Sequence, residues 1–472
     1  PMRFHAGSIL SLEWTNQHGC SDGRENCEII WQYACDESFK DGESEEPDGQ
    51  GNGNTCTAEV TEANQDDPDV GRHESFQYFE DCNQRQRNTN LFSADQNVNN
   101  NNGAQATRQN PGGGTSGFEC QEERDYYPYW HPTPFVDIAI LTSNTSRCDY
   151  YESESQNVKA KNYCSEPEHN NKKSCEANSG DWLSVPPHNQ ENRWIRKPDC
   201  MEAPWGRQNS LSNTHEGYLA SYNWTIPRQG RGFVQPSCFV RLRYNISTND
   251  YDSWDIDSKS NGNQSPVEND PYLDADQNTY LRLAVTTTQF GRTFQDRSYV
   301  FSIDTKRITL PFRNVWNLNV RGKRGNIEEV RNCVEYDMVP QRFNIRRGDF
   351  IHIQWTGSNH NNDNNAGEGT TGTDRNNMIQ MINNDLGANY FEPIETQTLF
   401  RTEEMAYRAA FIDQDESTCL DLETLEANNN DQATDNCAKL NQNPDGYFDL
   451  GVNRVNRTGV FHYMCSRNNN FT

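Results

Sequence analysis

The sequence predicts a mostly β protein built of tandem β-sandwich domains, with long disulfide-stapled polar loops and few short helices. Three observations predict it. Short runs rich in β-branched and aromatic residues recur along the chain, bounded by Asn, Gly, Asp or Pro. Fifteen cysteines stand at irregular spacings with no Cys-x-x-Cys, the pattern of a disulfide framework rather than a zinc or redox motif. Finally, only 32% of the 472 residues are hydrophobic and 58 are asparagine, yet 11% are aromatic, which separates the chain from a simply disordered one.

The elements follow in order. Residues 8–14, 28–33 and 135–142 read as the first strands, then 238–246, 280–287 and 298–303. In the run Phe239-Val-Arg-Leu-Arg-Tyr, period-two alternation sets one apolar face against one charged face. A fresh series follows at 315–321, 330–338, 349–355 and 459–464, with short helical patterns at 403–411 and 420–427. Between them lie polar stretches at 36–72, 96–117, 152–192 and 357–377, too long for simple turns. The connector near 306–312 divides an N-terminal region, 1–305, of one or two decorated sandwiches from a C-terminal sandwich, 306–472.

The formal charge of −27 leaves no basic stripe for phosphates, which excludes a nucleic-acid partner, and no apolar run approaches the ~20 residues of a membrane-spanning helix. The opening Pro-Met-Arg-Phe-His has no initiator methionine, basic n-region or apolar h-region, as expected of a secreted chain after removal of its leader. Six Asn-x-Ser/Thr sequons lack proline at the middle position, and Asn144, Asn223, Asn245, Asn263, Asn456 and Asn470 are therefore candidate N-glycan sites. Eleven cysteines precede residue 240 and four follow 330. The first group cannot pair internally without remainder, so one of its members is free, bound to another chain, or paired outside this sequence. Cys20 with Cys27 and Cys419 with Cys437 are the short-range pairs, each closing a polar loop.

Residues with chemical potential form no coherent catalytic set. Asp274, Asp276 and Asn278 begin like a calcium loop but lack the glycine and glutamate that complete one, so a solvated acidic turn is the default and calcium a weak candidate. Glu122 with Glu123, and Asp255 with Asp257, are acidic pairs that 69 carboxylates produce by chance. The cluster Tyr126, Tyr127, Tyr129, Trp130 and His131 reads as core or interface packing before a sugar platform. The blocks Gly348-Asp-Phe-Ile-His-Ile-Gln-Trp and Phe461-His-Tyr-Met-Cys resemble a cupredoxin. That resemblance implies copper ligands among His352, His360, His462, Met464 and Cys465, but no histidine follows Cys465, so a metal-free cupredoxin-like sandwich is expected. Around Cys238 the N-terminal region also resembles the sandwich of lytic polysaccharide monooxygenases. Pro1 cannot supply their terminal imidazole.

A wider resemblance rests on Glu13-Trp-Thr-Asn-Gln-His, Arg87-Asn, Leu91-Phe-Ser-Ala-Asp-Gln and Glu122-Glu-Arg-Asp-Tyr-Tyr-Pro-Tyr-Trp-His-Pro. It continues through Arg241-Leu-Arg-Tyr-Asn-Ile-Ser, Gln289-Phe-Gly-Arg-Thr-Phe-Gln-Asp-Arg-Ser and Asn319-Val-Arg-Gly-Lys-Arg-Gly-Asn, then His352-Ile-Gln-Trp-Thr-Gly-Ser-Asn and Ser466-Arg-Asn-Asn-Asn-Phe. In these blocks the chain resembles large secreted cysteine-rich glycoproteins of slime moulds, oomycetes and other protists, whose biochemical activity is poorly defined. The resemblance implies further segments before Pro1 and after Thr472, and transfers no catalytic residue. It also implies a Cys333–Cys465 bridge, because both cysteines stand where relatives carry small residues. The expected function is a secreted, N-glycosylated, non-enzymatic structural protein that binds copies of itself head to tail in an extracellular fibre or surface coat. It needs no cofactor beyond its N-linked glycans. The alternatives are a carbohydrate-binding or copper-dependent oxidative protein and an adhesion or developmental signalling glycoprotein.

Overall fold

Strand-forming runs of alternating burial build two large sheets in the computed structural model. It describes residues 2–14, 18–20, 25–36, 127–208, 214, 218–228, 235–248, 251–252, 254–256, 258–260, 264, 272–276, 279–282, 292–297, 300–304, 313–321, 337–356, 375–382, 391–428, 433, 435–443 and 446–466. In chain order the strands of the large sheets are β1 (Met2–His5), β2 (Ile9–Trp14), β3 (Glu25–Cys35), β4 (Val136–Thr142), β5 (Asp199–Glu202), β6 (Ala220–Thr225), β7 (Gln235–Thr248), β8 (Arg292–Arg297) and β9 (Phe301–Asp304). The series continues with β10 (Val315–Arg321), β11 (Asp337–Val339), β12 (Phe350–Thr356) and β13 (Tyr447–Arg454). One sheet has the order β1-β9-β7-β3-β4-β5, with β8 also on β7; the other has the order β6-β2-β10-β12-β13, with β11 on β10.

The second sheet crosses the expected division near 305. Its strands β2 and β6 come from the N-terminal region and the rest from the C-terminal one, joined where Trp316 of β10 lies in parallel register with Ile9 of β2. Leu10, Leu12 and Trp14 of β2 and Trp224 of β6 pack against Ile29, Trp31 and Tyr33 of β3 and Val240 and Tyr244 of β7. Aromatic pairs knit this core, Trp14 with Trp31 at 5.6 Å and Tyr33 with Trp224 at 5.0 Å. A second core gathers Leu318, Val320, Ile353, Trp355, Phe448 and Leu450 beneath the helix Glu403–Phe411, which buries Ala406 and Ala409. Thr402 caps that helix by accepting from the Met405 amide.

The charged face of β7 is covered rather than solvated. Arg241 and Arg243 are 1% and 0% exposed, beneath the segment that carries Tyr129 and Phe135. Tyr129 Oη accepts from Arg241 Nη2 (3.1 Å) and Arg243 Nη1 (2.5 Å) and donates to Gln32 Oε1 (3.0 Å). Gln32 Nε2 in turn donates to Asp137 (2.6 Å), whose carboxylate also accepts from Tyr127 Oη and Ser155 Oγ. Each of these hydrogen bonds offsets part of the cost of burying the charge. The aromatic cluster at 127–131 is therefore core, with Tyr127, Tyr129 and His131 all buried.

Among the described residues five bridges staple the fold, Cys20–Cys27, Cys35–Cys238, Cys148–Cys200, Cys164–Cys175 and Cys419–Cys437. Cys56, Cys82, Cys120 and Cys333 lie outside the described residues, so the Cys333–Cys465 pairing does too. Cys465 is half-buried with its Sγ 3.5 Å from Asn376 Oδ1. The polar stretch 152–192 is not a plain loop. It holds a hairpin of Lys161–Cys164 with Trp182–Val185 and the helix Lys172–Ala177, which Cys164–Cys175 clips to it. The expected strand at 459–464 shortens to His462–Met464, and of those expected at 280–287 and 330–338 the described parts are Thr279–Arg282 and β11.

Candidate functional site: a histidine pair where the two regions meet

Strand β1 ends at His5, opposite Asp304 of its parallel partner β9. Across the junction, β12 presents His352 and Gln354, and β13 presents Tyr447 and Asp449. The β12–β13 register skips one residue between Ile353 and Gln354, beside Gly451 at φ +79°, and this bulge re-aims Asp449. Asn317 of β10 lies in register with His352.

These side chains join the two regions by hydrogen bonds that imitate a strand. Gln354, 0% exposed, accepts from the Arg3 amide through Oε1 and donates to the Arg3 carbonyl through Nε2, both at 2.9 Å. Asn317 Nδ2 donates to Ser8 Oγ (2.8 Å) and to the Ile9 carbonyl (2.9 Å). A carbonyl only accepts, so the Asn317 amide is fixed with its Oδ1 toward His352 Nδ1, 3.2 Å away. On its other side His352 Nε2 is 3.0 Å from Asp449 Oδ1. Both ring nitrogens of this buried histidine are thus engaged, Nδ1 by Asn317 and Nε2 by Asp449. Asp449 completes the pair: burial pushes its carboxyl up, but bonds from His352, the Gly451 amide and Tyr447 outweigh burial and hold it below the usual carboxylate range.

His5 stacks 5.1 Å from His352 at a 42° tilt. Its Nδ1 is buried and lies 4.0 Å from Asp304 Oδ2, beyond hydrogen-bond reach. Burial, then the neighbouring His352 charge, holds the His5 imidazole below the ordinary histidine value, with Asp304 and Asp449 opposing in part. The arrangement is therefore two imidazoles stacked across the two regions, one hydrogen-bonded at both ring nitrogens and one whose protonation burial disfavours. What it can do chemically is take up a proton at His5.

The other predicted residues scatter. Asn223 is exposed on β6, the end strand of the six-stranded sheet, and Asn456 is exposed just beyond β13. Asn144 is half-buried and caps the turn Thr145–Arg147 through its Oδ1. Asn245 is half-buried within β7, between Glu28 of β3 and Thr293 of β8. Asn263, Asn470 and Asn278 lie outside the described residues, while Asp274 and Asp276 sit on one strand of a hairpin opposite Tyr280 and Thr279. Sequence reasoning passed over His5, Asn317, Gln354 and Asp449. Its one available signal was the pair of asparagines inside the apolar run Val315-Trp-Asn-Leu-Asn-Val.

Residues 1–303 match the family model described as the DD3-3 N-terminal domain, and residues 313–472 match the DD3-3 cupredoxin-like domain. The chain belongs to the DD3-3 family. No curated protein and no solved structure matches it. The cupredoxin-like domain raises the question of copper; His360 lies outside the described residues, and among the described ones the candidate ligands do not gather into a site. His352 has both ring nitrogens committed to Asn317 and Asp449, whereas His462 and Met464 lie on a separate two-stranded sheet paired with Ile379–Met381. In this DD3-3 chain His352 is held within the cupredoxin-like domain by Asn317 and Asp449 and meets the N-terminal domain by stacking on His5. Among the described residues no helix is long and apolar enough to cross a membrane.

Proposed function

We propose that this DD3-3 protein is a secreted, N-glycosylated structural protein that assembles with copies of itself into an extracellular fibre or surface coat. The observation that carries the reading is the end strand β5. Among the described residues it terminates the seven-stranded sheet, with Met201 38% exposed on it and Trp205, also 38% exposed, just beyond. An exposed end strand with apolar side chains is a template for pairing with another chain. Cys148–Cys200 pins it to the helix Cys148–Glu154, so the edge is held ready rather than frayed. Head-to-tail pairing yields an open filament where the rotation between subunits does not close into a ring. Five bridges support an oxidising compartment, and exposed Asn223 and Asn456 support glycan attachment. The full chain, secreted from a eukaryotic host, is expected to form filaments by electron microscopy, and Met201→Lys to leave soluble single subunits. A monodisperse wild-type monomer at every concentration tested removes the proposal.

A further inference from the structure

Before β12, the chain turns at Gly348 and, with the first residues of β10, encloses a pocket of about 440 Å³ lined by Asn314, Trp316, Asn344, Ile345, Arg346 and Asp349. This lies within the ~300–1,000 Å³ of ordinary small-molecule sites. The half-buried Trp316 supplies the ring. Its Nε1 donates to Asp349 Oδ2 at 3.4 Å, and Asp349 Oδ1 accepts from the Asn314 amide at 3.3 Å. Asp349 is itself buried, so the pocket has a fixed carboxylate, while Asn314, Asn344 and Arg346 are exposed. An indole ring fringed by two amides, a guanidinium and a carboxylate offers what a pyranose needs: a surface for its C–H groups and both donors and acceptors for its hydroxyls and acetamide.

The segment leaving β13 is tied to this pocket. The Val455 amide donates to the Asp349 carbonyl (2.8 Å), and the Gly348 amide donates to the Val455 carbonyl (2.7 Å). The next residue is Asn456, exposed and followed by Arg457 and Thr458. The turn that makes this possible requires glycine, since Gly348 has φ +96° and a Cβ there would stand 3.1 Å from the Arg313 guanidinium.

We infer that the pocket seats the first sugars of an N-linked glycan on Asn456, so that this glycan lies against the protein instead of extending freely. The inference rests on the secreted, glycosylated reading above and assigns one site a particular role within it. Contact between one sugar and one indole is weak for a free ligand. Here the attachment point is one residue from a backbone tie to the pocket, and such a tether supplies a millimolar-order effective concentration.

The test uses the full chain secreted from a eukaryotic host, with site occupancy read by glycopeptide mass spectrometry and glycan release followed under native digestion with an endoglycosidase. The Asn456 glycan should be released about tenfold more slowly than the Asn223 glycan. Trp316→Ala should remove that difference without changing Asn223, and a denatured sample should show none. The rim variant Asn344→Ala/Arg346→Ala, which alters exposed side chains, should give an intermediate rate even if the tryptophan variant misfolds. Equal native release rates at occupied Asn456 and Asn223 overturn the seat and leave glycosylation standing. An empty Asn456 beside an occupied Asn223 does the same. A secreted chain with no sugar at any sequon overturns the glycosylated reading and the seat with it.

Discussion

Replacing Asn317 by leucine tests the junction most directly. The side chain is 1% exposed and makes three hydrogen bonds, to Ser8 Oγ, to the Ile9 carbonyl and with His352 Nδ1. Leucine keeps the branched shape but is larger, so it leaves no cavity and any overpacking adds to the loss. The change strips the Oδ1 partner from the buried His352 ring, at about 1–3 kcal/mol, and a donor from a partly buried carbonyl, at about 1–3 kcal/mol. Against this stands about 1–2 kcal/mol from the added apolar surface. The net expectation is a loss of about 2–3 kcal/mol, read as a lower denaturant midpoint at constant slope, with circular dichroism and tryptophan fluorescence compared as a check on two-state behaviour. His352→Leu added to Asn317→Leu should cost at least about 1 kcal/mol less than the sum of the single changes, because the ring nitrogen stranded by the first change is then gone. A single-variant loss below about 1 kcal/mol, or strict additivity, would refute the buried hydrogen-bonded pair.

Acidification should weaken the fold from about pH 6.5 downward. The depressed His5 and His188 imidazoles bind protons less readily folded than unfolded, so the unfolded chain gains protons first and stability falls through that window. Asp449, held below its usual value, adds a second loss below about pH 4 as its protonation ends the His352 pairing. His5→Gln should flatten the upper part of the curve, leaving the His188 share; an unchanged slope between pH 7.5 and 5 contradicts the assignment. Cys35→Ala/Cys238→Ala opens a bridge across 203 residues between directly opposed strand positions, and should cost about 3–5 kcal/mol by denaturant titration. Gly348→Ala should lose about 1–3 kcal/mol in the same titration, from positive-φ strain and the Arg313 contact.

What could be read from the chain was local. The run at 315–321 and the helical pattern at 403–411 stand where period and capping place them, because Val315, Leu318 and Val320 and then Ala406, Ala409 and Ala410 carry the burial themselves. In β7 the alternation was readable but its meaning was not. The charged face is buried by Tyr129 and Gln32, which reach Arg241 from 112 and 209 residues away. His352 shows the same limit. Its residue type fits copper, and its actual partners, Asn317 and Asp449, lie 35 and 97 residues off. The subdomain within 152–192 is held by a bridge and by Asn171 capping a helix of six residues, neither of which leaves a hydrophobic period.

Family models divide this chain between 303 and 313, and the division marks where sequence patterns change rather than where the structure comes apart. β2 belongs to the N-terminal match by position and to both halves by bonding: it pairs with β6 on one side and meets β10 on the other. Its residues Leu10, Leu12 and Trp14 serve the N-terminal core, while the Ile9 carbonyl serves Asn317 of the C-terminal domain. Separating the halves would expose an edge of β10, the Arg3 backbone that pairs with Gln354 and the Asn317 amide that pairs with Ser8 and Ile9, groups whose bonds here cross the junction. A hinge between domains needs a small polar interface that water can re-solvate. Buried, fixed hydrogen bonds and a shared sheet give the opposite, a stiff unit in which load applied at β5 passes into the C-terminal sheet without an intervening flexible joint. That stiffness is what a repeating structural subunit requires. It also locates the weak point, since acid must charge His5, whose protonation burial at the junction disfavours.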